Sequence, residues 1–152
     1  MAVDKMGLSW IDEYVYGVID HCCSRDIFEI YDSLNINIKR VDKADSLLQG
    51  NDALYIRSYF GLEVVFIRDD LPYKYEKFTL AHELGRAILH AEVSKAAYNS
   101  KLINKSKLEK QSDYFALRLL AIAIDKDIYE GFTLDQISKD LCVTEDSLIN
   151  IK

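Results

Sequence analysis

The chain is short of the residues that staple or interrupt a fold: one proline, six glycines and three cysteines in 152 residues. Cys22 and Cys23 are adjacent and Cys142 stands alone, which suits neither a disulfide framework nor a Cys-x-x-Cys zinc site. Reduced thiols in a cytoplasmic protein are the expectation. No apolar run approaches the roughly 18 residues of a membrane span. The start, Met-Ala-Val-Asp-Lys-Met-Gly, lacks the basic-then-apolar pattern of a secretory signal. Repeats, low-complexity tracts, a glycine-rich phosphate loop and a nucleophile elbow are all missing. Positive charge is scarce too, with 19 Lys and Arg against 25 Asp and Glu and a net charge of −6. That balance argues against a general nucleic-acid binder, which needs a basic face to neutralise phosphates.

What remains describes an ordinary globular domain, 49% hydrophobic and 29% charged. A chain of this length buries roughly 68–70% of its unfolded surface, so neither metal nor disulfide is needed to fold it.

Ser9 is placed to cap a first helix, with Trp10, Ile11, Tyr14, Val15 and Ile19 at helical spacing. Ser24 is placed to cap a shorter one ending near Leu34. Residues 35–41 alternate apolar and polar, a strand signal. Ala53–Tyr59 and Leu62–Arg68 flank Phe60-Gly61 and read as an antiparallel hairpin. After Pro72 a helix runs from Lys74 or Glu76 to His90, then a polar loop over 91–106, then a long helix over 108–125, buried from Tyr114 onward. In the tail, Thr133 and Gln136 form a capping box. Ile137, Leu141, Val143 and Leu148 fall at helix-turn-helix core positions, with Thr144 as the second cap and Cys142 where a turn glycine is usual. Asp135, Asp140, Glu145 and Asp146 outweigh Lys139 and Lys152, so the tail is read as a packing unit rather than a DNA reader.

His82-Glu83-Leu84-Gly85-Arg86 carries the chemistry. In His-Glu-x-x-His, two imidazoles four residues apart lie about 6 Å apart along one helix face and converge on Zn²⁺. The glutamate polarises the metal-bound water, whose pKa the metal brings to about 7. Arg86 stands in place of the second histidine, and a permanently charged guanidinium cannot bind a metal cation. His90 is no substitute, lying about 12 Å from His82 along the axis. His21-Cys22-Cys23 has no partner motif and reads as helix-end packing.

The run Phe78-Thr79-Leu80-Ala81-His82-Glu83-Leu84-Gly85-Arg86-Ala87-Ile88-Leu89-His90 resembles the active-site helix of the ImmA/IrrE family of metallopeptidases, F-T-L-A-H-E-L-G-H-x-L-L-H. Gln111-Ser112-Asp113-Tyr114-Phe115-Ala116 resembles that family's second motif, E-A-[ND]-x-F-A. The order of elements is similar as well, so the resemblance covers nearly the whole chain. It implies an α+β fold: a zincin-like core over 1–130, with a small three-stranded antiparallel sheet packed on helices, and a helix-turn-helix-like helical pair over 131–152 packed on it. It also implies zinc ligands at positions 82, 86 and 111 and a general base at Glu83. Only His82 is retained among those ligands, as a vestige, beside a vestigial Glu83. Gln111 offers a weak, neutral oxygen. Glu109 and Asp113 flank it, but residues two apart face about 200° away, so either replaces it only if the helix is turned.

Arg86 lies i+3 from Glu83 and i+4 from His82, within reach of a same-face ion pair. Its guanidinium can fill the space of the cation and balance Glu83, with neutral Gln111 avoiding a second uncompensated carboxylate; simple decay of an unused site is the alternative. Family members cleave helix-turn-helix repressors of prophages and mobile elements, which implies such a repressor or a sister peptidase as partner. The leading expectation is a cofactor-free pseudo-peptidase that binds a regulatory protein. A zinc peptidase with a rearranged site is the enzymatic alternative, and a DNA-binding regulator acting through 132–152 is the third.

Overall fold

The computed structural model describes residues 7–90 and 105–149. The expected loop over 91–106 falls almost wholly outside them. Helix α1 spans Ile11–Cys22. Ser9 does not cap it: Trp10 sits at the cap position with no side-chain hydrogen bond, and the Ser9 carbonyl accepts from the Asp12 N–H at 3.0 Å. Helix α2, Ile27–Ser33, is capped by Asp26, whose carboxylate accepts from the N–H groups of Phe28 and Glu29. Ser24, the expected cap, lies one step further out and accepts from the Asp26 N–H at 2.9 Å. In both places the helix begins later than its serine, and at α2 a charged acceptor takes the cap.

Strands β1 (Asn37–Val41), β2 (Ala53–Tyr59) and β3 (Leu62–Arg68) form a sheet in the order β1-β3-β2. The hairpin of β2 and β3 is antiparallel as expected. Strand β1, however, pairs with β3 in parallel, Ile38 opposite Val65, so the sheet is mixed and not wholly antiparallel. Residues 42–52, including a 3₁₀ turn at Ser46–Leu48, carry the chain past the central position, so β2 enters at the far edge. Central β3 is buried on both faces: Val65 and Ile67 join the main core with Ala53, while Val64 and Phe66 meet Leu48 on the other side. Phe60 and Gly61 both take positive φ, 50° and 81°, the twist that two-residue hairpin turns require.

Helix α3, Tyr73–Leu89, crosses the sheet, and α4, Lys105–Leu119, packs along α3. Gly85 sets how closely they approach, since a Cβ there would lie 3.1 Å from Phe115 Cδ1. The two motifs thus touch each other through a glycine and a phenylalanine. Arg40 of β1 grips Glu76 of α3 with two hydrogen bonds, of 3.1 and 2.9 Å, and the buried Tyr31 hydroxyl donates to the Leu80 carbonyl at 2.6 Å.

Helix α4 stops at Leu119, short of residue 125, because the next turn breaks: Ala121 has φ 56°, and Arg25 donates to the Leu119 carbonyl at 3.1 Å. Helices α5 (Leu134–Leu141) and α6 (Glu145–Ile149) form the tail. The capping box is complete, with Gln136 N–H on Thr133 Oγ1 at 3.1 Å and Thr133 N–H on Gln136 Oε1 at 2.9 Å. Thr144 caps α6 through the Ser147 N–H at 3.2 Å. Ile137, Val143 and Leu148 are buried in the same core as the sheet and α3. Among the described residues no helix is long and apolar enough to cross a membrane.

Candidate active site

One cleft of about 530 Å³ opens between α3, α4, the start of β2 and the tail; His82, Glu83, Arg86, Glu109 and Asp113 line it, with Thr144 and Ile149 on the tail side. Helical phase puts His82, Glu83 and Arg86 on the face of α3 turned to α4. From α4 come Glu109 and Asp113, again one turn apart.

The side chains form a chain of polar contacts. Asp113 Oδ1 lies 2.8 Å from His82 Nδ1, and Glu109 Oε2 lies 3.1 Å from His82 Nε2. Glu109 turns its other oxygen to the Arg86 guanidinium. Arg86 Nη1 stands 3.5 Å from Glu83 Oε1, and the second oxygen of Glu83 accepts from the Tyr55 N–H of β2 at 3.2 Å. The chain of contacts therefore runs from the sheet edge through α3 to α4.

Electrostatics follow from that geometry. Burial opposes the imidazolium of His82, but hydrogen bonds to Asp113 and Glu109 and the charges around it raise its pKa to about 10. Burial pushes the Glu83 carboxyl up, against the pull of Arg86 and His82.

Gln111 is not part of this group. Its Oε1 lies 2.9 Å from Nε2 of His90, whose pKa is lowered, by burial first, against that hydrogen bond. The side chain at position 111 therefore faces His90 and not His82. The carboxylates that reach His82 are Glu109 and Asp113, and α4 needs no turning to bring them there. Glu109 is the α4 carboxylate that faces both His82 and Arg86. Asp113 on Nδ1 is the outer partner that orients a metal-binding imidazole elsewhere.

Zinc requires His, Cys or carboxylate donors converging at about 2.0–2.3 Å. Among the described residues no group of three such side chains is disposed to hold a metal ion. Both nitrogens of His82 are engaged, in opposite directions, and a cation stands at the third corner. The arrangement as it stands does not fit zinc.

Sequence reasoning admitted Glu109 and Asp113 only on a turned helix, and it passed over the Tyr55 N–H. A signal for the first two existed: an arginine set into an apolar helix calls for a carboxylate nearby, and Glu109 and Asp113 are four apart. Nothing local marked Tyr55.

A His-Glu helix packed on a carboxylate-bearing helix beside a sheet edge defines a zincin-like, metallopeptidase-type α+β domain. Comparison with known families agrees: the model described as IrrE N-terminal-like domain matches residues 32–126. The chain belongs to the ImmA/IrrE family. It is 31% identical over 137 residues to Metallopeptidase ImmA of Bacillus subtilis (strain 168), covering 84% of this chain and 75% of that protein. No solved structure matches it.

Proposed function

We propose that this chain is a catalytically impaired ImmA/IrrE-family protein, a cytoplasmic regulator that binds a helix-turn-helix repressor or a sister peptidase of a prophage or mobile element. Arg86 carries this reading. It stands where the second histidine belongs and is ion-paired to both Glu83 and Glu109. A glutamate committed to a guanidinium on one side and a backbone N–H on the other is poorly placed to take a proton from water. The cleft beside it, bounded partly by the tail, is where a partner's segment would lie.

The opposing reading, an active zinc endopeptidase with a rearranged site, draws on His82 and Glu109 facing one cleft. Elemental analysis of protein purified without chelator or histidine tag, followed by incubation with a helix-turn-helix repressor, separates the two. The expected result is near-zero zinc, an intact repressor and a stable complex. Stoichiometric zinc with chelator-sensitive cleavage establishes the enzyme instead, and a repressor neither bound nor cut removes the proposed partner.

A further inference from the structure

We infer that Arg86 is a built-in cation: its guanidinium holds the place of a metal ion between α3 and α4, and Arg86→His alone converts the site to one for a divalent metal held by positions 82, 86 and 109. The inference rests on the reading of the chain as non-catalytic and adds what took the metal's place. Glu109 is the pivot. One of its oxygens meets Arg86 and the other meets His82 at 3.1 Å, so a single carboxylate already spans both positions. Asp113 holds Nδ1 of His82 and leaves Nε2 directed at Glu109. Position 86 lies one helical turn from His82 on the same face, the spacing at which two imidazoles share an ion.

The charges point the same way. Glu83 from α3 and Glu109 and Asp113 from α4 face the same cleft, and with His82 paired to the two α4 carboxylates Arg86 supplies the second positive charge that three anions call for. Arginine suits the task because its planar fork engages two carboxylates at once and never loses its charge. Gln111, turned to His90, has no part in it.

The test compares wild type, Arg86→Met, Arg86→Lys, Arg86→His and the double variant Arg86→His/Glu109→Gln by zinc content and melting temperature, each in zinc chloride and in EDTA. Wild type is expected to be zinc-free, with one melting temperature in both. Arg86→Met melts lower by about 5 °C whatever the metal, and Arg86→Lys, which keeps the charge without the fork, falls between. Arg86→His takes up about one zinc per chain and melts higher in zinc than in EDTA. Adding Glu109→Gln weakens that binding by at least about tenfold. Should Arg86→Met fail to fold, Arg86→Lys and Arg86→His decide. The inference is overturned if Arg86→Met and Arg86→Lys melt with wild type, if Arg86→His ignores zinc, or if it binds zinc equally well with glutamine at 109. Zinc in the wild type strikes down the non-catalytic reading as well, whereas a zinc-free wild type beside a metal-blind Arg86→His removes this inference alone.

Discussion

At the N-terminal end of α3, Glu76 meets one cation, Arg40, through two hydrogen bonds, and the pair is neutral; toward the other end, three carboxylates share Arg86 and His82. Both arrangements tie α3 to a neighbour. They differ in burial and in balance. The Arg40 side chain is 48% exposed against 23% for Arg86, so water screens it more, although its partner Glu76 is 10% exposed. The Glu83 side chain is 5% exposed and depends on what surrounds it. The comparison teaches how a fastener differs from a site: one pairs charge with charge, the other gathers anions about a cation that is not free to leave.

Removing the cation at each end tests that contrast most severely. Arg86→Met is expected to cost about 2–3 kcal/mol, since it strands a buried carboxylate beside another. Arg40→Met costs about 1 kcal/mol, less than at Arg86 because the half-exposed Arg40 guanidinium is the more screened of the two. Urea unfolding of the two variants in parallel gives both numbers; equal losses would erase the distinction.

Gly85→Ala asks whether the close approach of α3 and α4 belongs to the site end. Its methyl would press on the Phe115 ring at 3.1 Å, an overpacking cost of about 1–3 kcal/mol, offset in part by the better helix propensity of alanine, about 1 kcal/mol. A net loss of about 1 kcal/mol with reduced tolerance to urea is expected. A more stable variant would mean that Phe115 gives way freely.

pH separates the two ends as well. The His82 pKa is raised from 6.5 to about 10, so the stability it contributes is complete below about pH 6.5 and fades as pH climbs through about 10. The difference in melting temperature between wild type and His82→Gln should therefore be widest near pH 6 and shrink steadily toward pH 10. Arg40→Met should show no such narrowing over the same range. A constant His82→Gln difference would show that the imidazole is neutral in the cleft.

The smallest effect belongs to Gln111→Glu. With its buried side chain against His90 rather than His82, where the imidazole offers the new carboxylate a partner, it should shift stability by less than about 1 kcal/mol and add no zinc. Zinc uptake on that change alone would make 111 the ligand position and overturn the proposed role of Glu109.

Much of this was legible in one dimension. The His-Glu helix, the hairpin about Phe60-Gly61, the capping box at Thr133 and the second cap at Thr144 depend on neighbours in sequence, and local chemistry was enough to place them. Caps at Ser9 and Ser24 were misplaced because a nearby competitor, a later helix start in one case and Asp26 in the other, is decided by where each helix packs. The parallel pairing of β1 was hidden for a different reason: an alternating strand reads alike in either direction, and only the route of residues 42–52 across the sheet chooses.

The amino-acid sequence alone determined that arginine occupies the second histidine's place, that Glu83 follows His82, and that an ImmA/IrrE-type scaffold surrounds them. It could not determine which carboxylate faces His82. Helix α4 has apolar residues nearly all round from Tyr114 onward, so its hydrophobic pattern does not report its rotation about its own axis. Tertiary packing sets that rotation: Phe115 fits against Gly85, and Glu109 and Asp113 then turn into the cleft while Gln111 turns to His90.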